Sequence, residues 1–143
     1  MKSIIHIVLF LGSFVIHAQT GDDIIGEYWT DTKEGRIEIY RKGSYYFGKI
    51  KWRREAIQDT KNPNSDLRKR SVIGLVFLKD FKYKSGKWID GSVYSIDNGK
   101  TYSGKLWLEN GGKILKMRGY VGFSLLGRTA TLMRVNKSVK KQS

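Results

Sequence analysis

From Gly21 onward the apolar residues recur at every second position, and turn-forming residues interrupt them at intervals of eight to twelve residues. A period of two belongs to extended strands, whose side chains alternate between two faces; no window longer than ten residues holds the spacing of an amphipathic helix. The pattern predicts a first strand over Ile24 to Thr30 and a turn over Asp31 to Gly35. A cleanly alternating strand follows over Arg36 to Arg41, with Ile37 and Ile39 on one face and Arg36, Glu38 and Tyr40 on the other. Lys42-Gly43-Ser44 then turns the chain into Tyr45 to Arg53, where Tyr46, Gly48, Ile50 and Trp52 share a face. Beyond a long loop come the nearly all-apolar Ser71 to Leu78, Phe81 to Trp88 straddling a Ser85-Gly86 turn, and a short strand over Ser92 to Ile96. The hairpin signal Asp97-Asn98-Gly99 precedes strands over Thr101 to Leu108, Ile114 to Val121 and Arg128 to Val135.

Eight or nine short strands joined by hairpins describe one all-β domain built as an antiparallel up-and-down meander. Gly48, Gly74, Gly104 and Gly119 fall inside strand patterns, where glycine marks bulges and tight bends. A two-sheet sandwich could use the same devices, but strand count and hairpin connectivity favour closure into a barrel, which removes exposed edges.

The N-terminus has a different texture. Met1 to Ala18 opens with Lys2, runs apolar from Ile4 to Ile16 and ends on a small residue, the layout of a secretory signal peptide and too short for a comfortable membrane span. The expected organisation is therefore a signal peptide over 1–18, a barrel over 19–135 and a basic tail over 136–143, in a protein exported to the periplasm or the extracellular space.

Export changes what the composition allows. The 143 residues include 27 Lys and Arg against 13 Asp and Glu, a net charge of +14, with two His and no Cys. Both histidines, His6 and His17, lie in the signal segment; without it, 125 residues of net charge +13 remain. A mature chain with neither His nor Cys builds no Ser-His-Asp triad, Cys-His dyad or imidazole metal site, so no metal and no cofactor are expected. Only carboxylate chemistry is left for a hydrolase. Of the acids, Glu27 and Glu38 alone fall in predicted strands, and Glu38 reads as outward. Basic residues interleave with aromatics at Lys49 to Arg54 and Lys79 to Lys84, a texture that can serve nucleic acid. Export redirects it toward anionic lipid or polymer of the envelope, and no nucleic-acid partner is expected.

Several segments resemble the small exported bacterial proteins of domain of unknown function 2147. They are Ile24-Ile25-Gly26-Glu27-Tyr28-Trp29-Thr30, Gly35 to Tyr40, Asp59 with Asn62-Pro63 and Leu67-Arg68, Phe81-Lys82-Tyr83 with Trp88, Asn98 to Tyr102, Arg118 to Gly122, Leu125 to Thr129, and Arg134. The resemblance spans about Ile24 to Val135 and implies a lipocalin-like β-barrel without a settled activity. Tyr28 stands where the family usually has Trp, and Leu132 where its last strand often has another. The likeness to lipocalins also implies an Arg from the chain's end, Arg134 or Arg128, lying across Tyr28 or Trp29 to close the barrel.

The functional expectation is a monomer or weak homodimer that binds a small apolar or amphipathic ligand carrying an anionic group. Arg68, Arg70, Arg118 and Arg128 are the candidate anion partners, and Tyr46, Trp52, Tyr102 and Tyr120 the candidate aromatic lining. Arg68 and Arg70 belong to the long loop from Glu55 to Arg70, which could act as a lid. Its Asp and Asn residues could equally bind those arginines to the loop itself. A basic module acting through its outer face on an anionic envelope surface is the second reading, and a carboxylate hydrolase the third.

Overall fold

The computed structural model describes residues 13, 18–122 and 127–136. The segment read as a signal peptide lies outside the described residues apart from Ser13 and Ala18, as does the tail apart from Asn136. A 3-10 turn over Gly21–Ile24 leads into β1 (Gly26–Thr30), β2 (Gly35–Lys42) and β3 (Tyr45–Arg53). A long loop with a second 3-10 turn at Ser65–Leu67 precedes β4 (Val76–Lys84), β5 (Lys87–Tyr94), β6 (Thr101–Glu109), β7 (Ile114–Tyr120) and β8 (Arg128–Arg134). Each strand pairs antiparallel with the next, and β8 returns to β1 through Tyr28↔Arg134, Trp29↔Met133 and Thr30↔Leu132. The eight described strands close a barrel and leave no free edge.

Two boundaries differ from the alternation pattern. Ser71 forms only an isolated bridge with Gln58 and Val72 to Gly74 bends and turns, with Gly74 at φ +83°, so the apolar run enters the barrel sheet only at Val76. Asp80 and Asp90, which look like strand ends in the sequence, sit inside β4 and β5 with φ of +60° and +59°. Pairing continues on both sides of them, at Lys79↔Ser92 and Lys82↔Ile89, so two long bent strands replace three short ones and the count is eight.

The lower half of the barrel is solid. Tyr28, Phe81 and Trp88 are fully buried with Leu78, Leu106 and Leu115, each aromatic contributing about 2 to 3 kcal/mol by leaving water. Glycines make room for them: a Cβ on Gly91 would overlap the Phe81 ring, and one on Gly104 would lie 2.6 Å from Val93 Cγ2 and 2.9 Å from Phe81 Cζ. Phe81 therefore occupies the middle of the barrel as a floor.

Candidate functional site

The two ends of the barrel are built differently. At the closed end, Gln19 to Ile24 plugs the opening and is held there by side chains from the wall. The Tyr28 hydroxyl donates to the Ile24 carbonyl at 2.7 Å, Tyr83 to Gln19 O at 2.8 Å, and the Trp88 indole to Gly21 O at 3.1 Å. Tyr46 donates to Asp22 Oδ1 at 2.8 Å. Arg134 lies with its guanidinium 4.7 Å from the centroid of Tyr28 and donates to the carbonyls of Gly112, Ile25 and Asp23 at 2.8, 2.9 and 2.5 Å. Burial pushes the Tyr28 hydroxyl up to about 12, against an opposing pull from Arg134. Trp29, the other candidate for barrel closure, points outward instead.

Above the Phe81 floor the barrel is hollow. A cavity of about 330 Å³ opens at the far end, walled by Ile37, Ile50, Phe77, Val93, Met117 and Leu132. Small residues leave this space: Thr30, Gly35 and Ala130 border it where the lower half carries aromatics. The rim carries Arg36, Arg53, Asp31 and Asp97. A neighbouring recess shares Val93, Met117 and Ala130 with the cavity and adds Tyr102, Tyr120 and Arg128.

Arg53 is the unusual member of the rim. It pairs with Gly35, and a Cβ on Gly35 would lie 3.9 Å from Arg53 Cγ, so the arginine stem crosses the inner face of β2 that glycine leaves bare. Arg53 Nε, like Arg36 Nε, is buried without a hydrogen-bond partner, but whereas Arg36 pairs with Glu27 through Nη1, Arg53 forms no ion pair among the described residues. A buried guanidinium donor facing an apolar cavity is costly unless an acceptor meets it.

The register explains why the alternation pattern points elsewhere. Ile37 pairs with Ile50 but Arg36 with Trp52, so Lys51 is an extra residue in β3. That bulge exchanges the faces of the two residues beyond it, putting Trp52 outward and Arg53 inward. Trp52 packs edge-on against Trp29 at 5.7 Å, with Arg36 5.0 Å from the Trp29 centroid and 5.8 Å from that of Trp52, and it borders the cavity only at the rim.

The other candidate residues are dispersed. Tyr46 belongs to the closed end, edge-on to Trp88 at 6.3 Å, and does not line the cavity. Arg118 lies on the outer wall, donating to Thr129 Oγ1 at 2.8 Å. Tyr102 faces inward opposite Val93 and accepts from Asn98 Nδ2 at 2.7 Å, so that it, Tyr120 and Arg128 meet in the neighbouring recess.

Arg70 and Arg68 serve the loop. Arg70 donates through Nε and Nη2 to Asp59 Oδ2 at 3.0 and 2.8 Å, and Arg68 Nε donates to the Asn62 carbonyl at 2.8 Å. Asp59 is fully buried and also accepts from Asn62 Nδ2 at 2.8 Å and from the Tyr94 hydroxyl at 2.6 Å. Burial raises the Asp59 carboxyl, but the hydrogen bonds from Tyr94, Asn62 and Arg70 outweigh it and hold the group below its usual range. Tyr94, by burial and then by its bond to Asp59, is held above its own. The loop also seats its Lys61 carbonyl against Gly99, where any side chain would collide and where φ is +71°. It is a strap fastened to the wall rather than an anion clamp.

Glu27 and Glu38 pair directly across β1 and β2 on the outer wall. Lys51 Nζ bridges them at 3.2 and 3.0 Å, with Arg36 on Glu27 at 3.3 Å and Lys49 on Glu38 at 3.5 Å. The hydrogen bond from Lys51 leads the effects that lower the Glu38 carboxyl, the wrong direction for a general acid. This pair forms an ion network on the outer wall, away from the cavity. Among the described residues no group of three or more His, Asp or Glu is placed to hold a metal, and no helix is long and apolar enough to cross a membrane.

The family described as an uncharacterized protein conserved in bacteria, DUF2147, matches residues 26–134, which is β1 through β8. Among solved structures, the protein HP1028 of Helicobacter pylori, described as belonging to the lipocalin family, superposes with a TM-score of 0.71. It is 26% identical, and the alignment covers 79% of this chain and 83% of that one. Comparison with curated proteins finds no significant match.

Proposed function

The chain belongs to the DUF2147 family and has a lipocalin-like barrel, and from that premise we propose that it is a binding protein for a small amphipathic anion, with the apolar body in the cavity and the anionic head on Arg53. The observation that carries the reading is the pairing of a hollow apolar chamber with two arginines at its mouth whose buried Nε lacks an acceptor, Arg36 and Arg53, of which Arg53 alone forms no ion pair among the described residues. About 330 Å³ lies at the small end of the roughly 300 to 1,000 Å³ of ligand pockets. It suits a short chain or a single ring system. Arg36, outward and already paired with Glu27, contributes field at the rim, while Arg128 edges the adjoining recess. The layout of Met1 to Ala18 supports a place of action outside the cytoplasm.

Decanoate tests the reading by calorimetric titration, with native mass spectrometry of the protein purified from its source organism reporting any resident ligand. Ala130→Trp fills the chamber from one wall at a position that costs the fold little, and is expected to weaken decanoate binding by about tenfold or more. Absence of decanoate binding together with an empty barrel in the mass spectrum would overturn the proposal, as would affinity unchanged in Ala130→Trp.

A further inference from the structure

The outer wall of the barrel is divided by ion pairing. On β1 to β3 the two acids are shared among three bases, Glu27 and Glu38 holding Arg36, Lys49 and Lys51, and Arg41 reaches Asp22. Across β4 to β7 five outward lysines, Lys82, Lys84, Lys87, Lys105 and Lys116, have no such partners among the described residues. Lys84 pairs with Lys87, Lys87 with Trp107, and Trp107 with Lys116, forming one row around the barrel. The next outward positions hold Lys82, opposite Ile89, and Lys105, opposite Arg118. With strands about 4.8 Å apart and outward positions about 7 Å apart along a strand, five lysines share a patch roughly 15 Å by 7 Å. None of these lysines forms an ion pair among the described residues. The nearby acids are Asp80, Asp90 and Glu109, and Glu109 is occupied as the acceptor of the Trp107 indole at 3.0 Å.

Like charges directly across strands destabilise a sheet, as at Lys84 and Lys87. Lysines clustered without a carboxylate partner on one side, where the other side ion-pairs its bases, point to counter-charge supplied from outside. We propose that the β4–β7 wall docks the barrel side-on against an anionic lipid bilayer.

Three features favour a bilayer over a polyanionic chain. The wall is convex and its cations are separate ammonium groups on flexible stems, without the groove and stacked aromatics that track a single strand. Trp107 lies at the centre of the basic row, its indole N–H turned to Glu109, with Lys105 Nζ 5.9 Å from its ring. Ile89 and Ile114 are half-buried, and Met133, 51% exposed, borders the wall on β8 beside Ile114, so apolar groups are offered to the headgroup boundary while lysines extend past them. Docked this way the cavity mouth stays uncovered, because the basic rows run nearer the closed end.

The test is cosedimentation of the full chain with vesicles of phosphatidylcholine, with and without phosphatidylglycerol. The band variant carries Lys82→Glu, Lys87→Glu, Lys105→Glu and Lys116→Glu. A control carries the same charge change at exposed positions elsewhere: Lys33→Glu, Lys42→Glu, Arg54→Glu and Lys69→Glu. Circular dichroism checks both folds, and Gln replaces Glu at the band positions if reversal prevents folding. The native chain is expected to bind only the anionic vesicles and to be released by salt, with the band variant about 100-fold weaker and the control only severalfold weaker. No binding to anionic vesicles, equal loss in band and control, or capture by soluble polyphosphate with none by vesicles would overturn the proposal.

Discussion

The closed and open ends of the barrel use the same residue types for opposite purposes. At the closed end Arg134 lies over an aromatic ring and gives its hydrogens to three backbone carbonyls. At the open end Arg53 lies over a glycine, and its Nε finds no acceptor. Tyr28, Tyr46, Tyr83 and Trp88 each fasten the plug through one polar atom, whereas the cavity walls are aliphatic, Phe and Met. One end is therefore a completed network and the other is an incomplete one that a ligand of the right polarity would complete. Under the proposed function, stability and binding are separated along the barrel axis, with Phe81 as the boundary.

That separation is tested most strongly at Arg134. Arg134→Ala removes three charge-assisted hydrogen bonds and the stacking on Tyr28, and is expected to cost about 3 to 4 kcal/mol in urea unfolding. Decanoate affinity in the variant that remains folded should be unchanged, and a parallel loss of binding would show that the two ends are coupled. A smaller effect is expected at the strap that fixes Tyr94 beside the mouth. Asp59→Asn turns an amide N–H₂ toward donors that now meet a carboxylate, at a cost of about 2 to 3 kcal/mol. Because Asp59 titrates lower when folded than its unfolded value near 3.9, its contribution is fully present above about pH 4 and is lost as pH falls through the folded value. The stability gap between native protein and Asp59→Asn should therefore shrink between pH 7 and pH 3; a gap independent of pH would mean that the charge of Asp59 is unimportant.

How far the sequence reveals this arrangement depends on where alternation is interrupted. In β2, Ile37 and Ile39 point inward and Glu38 outward without interruption, and the strand and its faces are legible. The hairpin connectivity follows from Gly43, Ser85-Gly86 and Asp97 to Gly99, and with it the up-and-down order. Bulges carry no such signature. The extra residue Lys51 moves Trp52 out of the interior and Arg53 into it, so the residue proposed to hold the ligand head is hidden by a shift of one position. Asp80 and Asp90 mislead in the same way, since their left-handed backbone bends strands that a sequence reading ends. The loop arginines show a different limit. Arg68 and Arg70 are compatible with a clamp or with a strap, and only the burial of Asp59 decides for the strap. The lysine rows are visible as composition, but their convergence on one wall requires the strand register.

The smallest stability effect is expected at Arg53, and it is the most informative. Arg53→Met keeps the stem over Gly35 and deletes the buried donor that lacks an acceptor, so unfolding free energy should change by no more than about 0.5 kcal/mol, and toward greater stability if at all. Decanoate affinity should fall about tenfold or more, the value of a charge-assisted bond to the ligand head. Decanol, with the same chain and no charge, should bind the native protein and the variant alike. A loss of stability comparable to that of Arg134→Ala would place Arg53 with the structural residues and make the two ends of the barrel equivalent. Equal weakening for decanoate and decanol would assign Arg53 to the shape of the mouth, leaving the anionic head without a partner there.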